Sequence, residues 1–477
     1  MNSLQRALSK ITLSPSTDSE RLETNGNDVV EFRDGDVENP RNWSLARKRY
    51  ITTITMLLLA NGSIASSITA GNTQSITQEF GISNVAAQLT TSLFLLGFCA
   101  GPLLFGPLSE FYGRQLLLYL TSFLYFCFTF LTAWPTDLGG LLVGRFLAGC
   151  FAAGPFAIGP GVLVDLWDKC ECGNAMGILI CVCWIGPALG TVISGCFELK
   201  KDWRWSMYAC LWLGSFTMML MLVIPETHGP TVLARKAKMA RHKGHDVQAA
   251  GEASRPKLLQ LYKTALARPW VLLFDTISLL CCIYSCLIAA LQYMLFSIYP
   301  IVFQDMRGWN PAVSQLSVLG QAVGAVFGLL MVFYHTMRRK AKANTGREMV
   351  PEDHMVLAMI GGVGFPISML WLCWSAQYKS LRSLDRADSG WYGSGDMPDA
   401  DPPANIVARC ISSAGAPLFT RQMFEALGVG GGGSLIAGVA APLAVIPFLF
   451  YRYGRTIRSR RDELNLDGAL TDPIDAQ

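Results

Sequence analysis

Charge is what this chain has least of. Only 16% of its 477 residues are Asp, Glu, Lys or Arg, against about 25% in soluble domains, and 51% are hydrophobic. A large soluble enzyme would divide its apolar residues among strands of about 4–8 residues. Here apolar runs of about 20 residues recur, each long enough to cross about 30 Å of hydrocarbon. The chain also lacks a Walker sequence, a zinc-protease HExxH and a serine-hydrolase elbow. That argues against an ATP-driven pump and against intramembrane enzymes of those classes. Metal chemistry is poorly provided for, because Cys170-x-Cys172 has no second pair at zinc spacing. Nearly all of the 14 cysteines, among them Cys99, Cys127, Cys181, Cys183, Cys281 and Cys282, lie in apolar runs as small filler. A net charge of +4 leaves no nucleic-acid footprint. No cleavable signal peptide is expected, and residues 1–49 read as a polar, disordered tail.

What is present is a series of membrane spans. They are predicted at about 50–70, 85–108, 115–133, 138–163, 175–197 and 205–224, then at 270–299, 314–334, 354–376 and 433–451. A polar loop at 225–269 divides an N-terminal six-helix unit (50–224) from a C-terminal unit (270–451), and a tail follows at 452–477. Lys and Arg mark the cytoplasmic side of short loops. Arg47, Lys48 and Arg49 precede the first span, nine basic residues fill 225–269, five fill 335–353, and the tail holds Arg452, Arg455, Arg458, Arg460 and Arg461. Both termini are therefore expected in the cytoplasm, with Lys200 and Lys201 the exception on an outward loop. Parity then conflicts with the span count. An even number of crossings is needed between 354–376 and 433–451, but 378–404 is too polar to span, and 406–428 carries Arg409, Arg421 and Glu425. The C-terminal unit looks one span short.

The segment GPLSEFYGRQ, Gly106 to Gln115, joins the second and third runs. Lone charges are costly inside a bilayer, so Glu110, Gly113 and Arg114 belong in a very short loop at the membrane surface. Asp165, at the end of the inward-running fourth span, falls on the same side. Arg145 lies about seven residues into the fourth span with no acid within a helical turn. It is either a functional charge or an arginine snorkelling to the interface. Gly186, Pro187, Gly190 and Gly195 recur at helical spacing, where the proline permits a bend and the glycines permit close helix contact. Asp275 either carries a proton or caps the start of the seventh span. Tyr284, Tyr293 and Tyr299 in that span either line a cavity or serve packing.

The G-x-x-x-acid-x-x-G-R pattern of this loop resembles the signature of the major facilitator superfamily. Further segments resemble its fungal drug:proton antiporter branch: ENPRNWS (Glu38 to Ser44), GRFLAGCFAAGP from Gly144, GPALGTVISG (Gly186 to Gly195), PETHGPTVLARKAK (Pro225 to Lys238) and PFLFYRYGRTIR near the end. The resemblance covers about 38–377 and 405–460. It implies an all-α integral membrane fold of two helical halves, with the tenth of twelve spans absent here. It implies a monomeric, multi-pass plasma-membrane exporter of small organic molecules, without cofactors and driven by the proton gradient through alternating access. Its partners would be substrate, protons and the lipid bilayer. By the same resemblance Gly106, Glu110, Gly113, Arg114 and Asp165 form a cytoplasmic gate. Arg145, Asp275 and Tyr284 would serve coupling or the substrate cavity, and Gly186, Pro187, Gly190 and Gly195 the antiporter hinge. Polyamine transport is an alternative within the family. Another is a non-transporting product of a decayed or mis-spliced gene, since 379–403 is rich in Gly, Asp and Ser.

Overall fold

The computed structural model describes residues 29–32, 35–243, 247–249, 258, 260–263, 266, 276–343, 355–377, 403–443, 445–446, 448 and 452. Asp275 and the polar stretch 378–402 lie outside the described residues.

A backbone in lipid must satisfy its own hydrogen bonds, and the apolar runs accordingly form helices. The first unit comprises α1 (Leu45–Ser67), the short α2 (Thr73–Phe80), α3 (Asn84–Tyr112), α4 (Arg114–Ala133), α5 (Leu138–Leu166), α6 (Lys169–Glu198) and α7 (Arg204–Met221). The amphipathic α8 (Gly229–His242) follows. The second unit comprises α9 (Thr276–Tyr299), the short α10 (Pro311–Leu316), α11 (Leu319–Ala343), α12 (Met355–Gln377) and α13 (Pro403–Leu443). Among the described residues, 8 helical segments are long and apolar enough to cross a membrane, and Gly361–Trp374 in α12 is a shorter apolar helix. Local signals set the ends. Ser83 accepts from Ala86 N and opens α3, and Asp137 accepts from Gly140 N and opens α5. Gly113, at φ 99°, is the single residue between α3 and α4. Leu116, Leu120, Phe123 and Phe130 on α4, and Trp212, Phe216 and Met219 on α7, point outward, as a lipid-facing surface requires.

The two units meet along two seams, α3 against α13 and α6 against α10 and α11. Within the first unit α3 lies hard against α5. A methyl group on Gly97 would collide with the Phe146 carbonyl, and one on Gly149 with the Phe94 carbonyl.

One expectation needs correction. Part of the N-terminal tail is ordered rather than disordered. Val29–Val30 (β1) pairs in parallel with Gln248–Ala249 (β2), and Val30 packs with Leu233, Ala237 and Ala240 of α8. The ENPRNWS segment forms a 3-10 turn at Pro40–Asn42, tied by Trp43 Nε1 to the Val37 carbonyl at 3.0 Å. Its apolar residues and acids find partners on α8, which composition alone does not reveal.

The second unit is consistent with a missing span, with fewer than twelve full-length candidates among the described residues. Residues 403–427 and 429–443 are two helical limbs that meet at Gly428 (φ 70°, ψ 166°). The first limb begins at mid-depth, since the Val407 carbonyl accepts from Cys99 Sγ (3.7 Å) at the middle of α3. It then runs toward the face opposite Arg114, where Arg421 and α2 residues such as Thr73 line one cavity. The second limb turns back along α12, where Trp374 Nε1 donates to Ser434 Oγ at 3.0 Å. The first limb is thus an incomplete crossing, and the second can carry the basic tail to the same face as Arg114.

Candidate functional site

At the face carrying α8, the end of α3 and the start of α4 converge with α5 and the segment after α7. Arg114 Nε bonds Asp165 Oδ2 at 2.7 Å, and its Nη1 donates to Ser109 Oγ at 3.3 Å. The arrangement is tight, because a methyl on Gly161 would overlap the guanidinium. Glu226, whose side chain is 3% exposed, completes the cluster. Its carboxylate accepts from the backbone N–H groups of Arg114 (2.9 Å), Gln115 (3.3 Å), Thr227 (3.0 Å) and His228 (2.9 Å). An anion at the positive end of α4 is stabilised by the orphan N–H groups and the helix dipole. Gly113 is required twice over: its φ is positive, and a side chain would strike Glu226.

The structure therefore brings together Gly113, Arg114 and Asp165 and adds Glu226. Glu110 stays on the exposed side of α3, without an ion pair to any described residue. Gly106 is a helical residue of α3 with no neighbour within 4 Å of where a Cβ would stand; its carbonyl accepts from Ser109 Oγ at 2.7 Å. Glu226 stands in the PETHGP segment that sequence reading singled out without giving it a role. The available signal was an acid directly after a span, opposite a Gly-Arg loop.

Arg145 does not snorkel. It is 2% exposed, and its donors reach the carbonyls of Thr90 (3.1 Å) and Ala65 (2.8 Å) and Thr69 Oγ1 (3.5 Å). The Phe94 ring lies 4.4 Å from its guanidinium carbon. The charge is held by neutral oxygens and a ring face, and it ties α5 to α1 and α3.

The proposed hinge residues lie on α6 against α1 and α10. A Cβ on Gly186 would overlap Ser63, and one on Gly190 would overlap Ser67. One on Gly195 would come within 2.6 Å of Gln315 in the second unit. Pro187 cannot donate to the Cys183 carbonyl, and Ser63 Oγ does so instead at 3.3 Å. Ser67 Oγ donates to the Pro187 carbonyl at 2.6 Å. Serines of α1 therefore satisfy the backbone at the break that Pro187 introduces.

Between the units lies a mid-depth cavity of about 90 Å³, lined by Ser66, Phe98, Trp184, Gln292, Tyr293 and Arg409 among others. Tyr293 hydroxyl and Ser66 Oγ are 2.8 Å apart and bridge the two units. A vestibule of about 220 Å³ on the face opposite Arg114 shares Tyr293 as a wall and also holds Glu198 and Arg421. Tyr284 is buried in α9 but lines neither space, whereas Tyr293 lines both.

A six-helix unit and a shorter helical unit closed around a mid-depth cavity, with an ion cluster at one face, define a polytopic membrane transporter rather than an enzyme. A profile of the Major Facilitator Superfamily matches residues 53–383, and the chain belongs to that superfamily. It is 35% identical to the Major facilitator superfamily multidrug transporter mdrA of Aspergillus fumigatus, over 90% of this chain and 75% of that one. It is 32% identical to the MFS-type efflux pump MFS2 of Trichophyton rubrum, over 91% and 76%. The fold matches the proton:xylose symporter XylE with a TM-score of 0.59 at 15% identity, over 86% of this chain and 96% of that one.

Proposed function

We propose that this chain is a proton-coupled exporter of small organic molecules that works as a monomer by alternating access in the plasma membrane, with both termini cytoplasmic. The observation that carries the reading is the mid-depth cavity walled by both units, with Tyr293 of the second unit bonded to Ser66 of the first. The names of the efflux relatives support the direction of transport, and the symporter's name supports the proton as driving ion. In this reading Gly113, Arg114, Asp165 and Glu226 hold the cytoplasmic face shut until a charge is neutralised, and Gly106 and Glu110 belong to the adjoining end of α3. Arg145 and Asp275 couple protons, and the α6 segment around Pro187 bends.

The test uses everted membrane vesicles containing the chain, an imposed proton gradient and a panel of aromatic amphiphiles. Accumulation should appear with the gradient and collapse with a protonophore. Arg114→Ala should abolish it while the protein stays in the membrane; wild-type transport by that variant would sink the gate. Asp275→Asn should transport without normal sensitivity to the protonophore. Unchanged sensitivity would remove Asp275 from the coupling set.

A further inference from the structure

On the face opposite Arg114, Glu198 ends α6 and lines the vestibule. Its Oε1 accepts from the backbone N–H of Ser75 at 3.2 Å and from the Ser75 hydroxyl. Ser75 is the third residue of α2, so its N–H is one of those with no partner inside the helix. An acid at that end also meets the positive pole of the helix. Glu198 therefore caps α2 from a neighbouring helix, and Thr73 and Gln74 beside the cap form part of the vestibule wall. The far end of α2 is anchored separately, where Glu79 accepts from Trp203 Nε1 and pairs with Arg204 at 2.6 Å. The last turn of α6 also touches the second unit. Gly195, three residues before Glu198 and on the same helix face, packs against Gln315 of α10, and Gln315 lines the vestibule too. One carboxylate thus stands where α2, α6 and the second unit meet.

We propose that Glu198 is the proton-binding site on the outer side of the transport cycle. The inference rests on the transporter reading and names where its driving ion enters. Ionised, the carboxylate only accepts, and it holds α2 through charge-assisted hydrogen bonds. Protonated, it keeps neutral bonds of roughly half that strength and loses its attraction to the pole of α2. Acid at the outer face therefore loosens the α2 wall of the vestibule and the end of α6 that meets α10. The charged neighbours are Asp202, which acts on Glu198 from the following loop, and Arg421 of α13, which lines the same vestibule and pairs with Glu425. Lys200 and Lys201 follow on the exposed loop. From the other elements, α2 presents Ser75, Thr73 and Gln74, α9 presents Tyr293, and α10 presents Gln315. Tyr293 walls both this vestibule and the mid-depth cavity, so the site stands on the route by which an exported substrate would leave.

The experiment is amide hydrogen exchange of α2 in the full chain, held in phosphatidylcholine nanodiscs at acid and at neutral pH. Labelling times are scaled to cancel the intrinsic pH dependence of exchange. Wild-type α2 should exchange about three- to tenfold faster in acid. Glu198→Gln, which imitates the protonated acid, should show the fast rate at both pH values. Glu79→Gln should speed α2 at both and keep the difference between them, which separates the two anchors. If Glu198→Gln does not fold, Ser75→Ala decides, and it must shrink the difference. In vesicles, Glu198→Gln should carry an aromatic amphiphile that the wild type accumulates down that compound's own gradient, yet fail to accumulate it against one. A wild-type α2 indifferent to pH overturns the proposal. So does a difference that survives Glu198→Gln, or full accumulation by that variant. A Glu198-dependent response of α2 without driven transport of any compound by the wild type retires the export reading and keeps the proton site. Driven transport with an α2 indifferent to pH does the reverse.

Discussion

Glu226 shows what a single carboxylate contributes here. It is almost fully buried and receives four backbone N–H groups; Arg235 lies at 3.9 Å. Glu226→Gln keeps the shape but turns an amide NH₂ toward those donors. Hydrogen bonds to charged groups contribute about 1.5–3 kcal/mol each, and the backbone donors would be left partly unsatisfied. The variant should lose about 2–3 kcal/mol. In detergent its thermal unfolding midpoint should fall by several degrees, while Glu110→Gln, on the exposed side of α3, should leave the midpoint unchanged. Equal midpoints for Glu226→Gln and wild type would refute the capping role. Residue-level legibility was uneven in an instructive way. Arg114 and Asp165 were readable because Arg114 follows the end of one span and Asp165 stands at the end of another that runs toward the same face. Glu226 is 112 positions from Arg114, and only the packing of α4 beside the end of α7 makes it a neighbour. Arg145 was readable as a charge at depth, but its carbonyl partners belong to α1 and α3.

At the scale of elements, span positions followed from apolar runs, and their ends followed from Ser83, Asp137 and Gly113. What composition could not show was pairing between polar segments. The tail before α1 and the amphipathic α8 each look solvated alone. Together they join through the β1–β2 pair and through Lys236, whose Nζ lies 2.8 Å from both Asp36 Oδ2 and Glu38 Oε2. A single exposed ion pair contributes about 0–1 kcal/mol; here two acids share one partly buried ammonium beside an apolar cluster. Lys236→Glu should release the strap, so that limited proteolysis cuts within 29–44 at least several-fold faster. Combining it with Asp36→Lys and Glu38→Lys should restore much of the protection. If the single reversal leaves the cleavage rate untouched, the apolar contacts of Val30 with α8 hold the strap alone. The long α13 was legible only in part, for a related reason. Arg409, Arg421 and Glu425 made 406–428 look unfit to span, yet Arg409 faces a cavity, and Arg421 and Glu425 pair at 2.9 Å near the vestibule.

For the whole molecule, the two units are unequal. The first has six long helices packed on one another, five of them in segments apolar and long enough to cross a membrane, with α1 against α5, α6 and α7, and α3 and α4 against α5. In the second, α12 packs chiefly along α13, and the first limb of α13 starts at the depth of Cys99. The sequence carried this asymmetry as a parity conflict, because the charge rule demanded an even number of crossings between α12 and the last limb. The structure answers with a limb that begins level with the middle of α3. The apolar outer face of α12 is open to lipid or to a further helix. Val363, Ile367, Leu370, Trp371 and Trp374 of α12 are all more than a third exposed. Replacing 379–402 by an apolar run of about 20 residues should therefore raise the thermal midpoint in detergent and increase gradient-driven transport over the chain as it stands. Sequencing the native message across the codons for residues 370–410 tells which form is made. If it encodes such a run, the longer form is the working transporter. If it encodes this chain, and the insertion neither stabilises it nor increases transport, then the half-depth limb is a complete solution and the second unit lacks nothing.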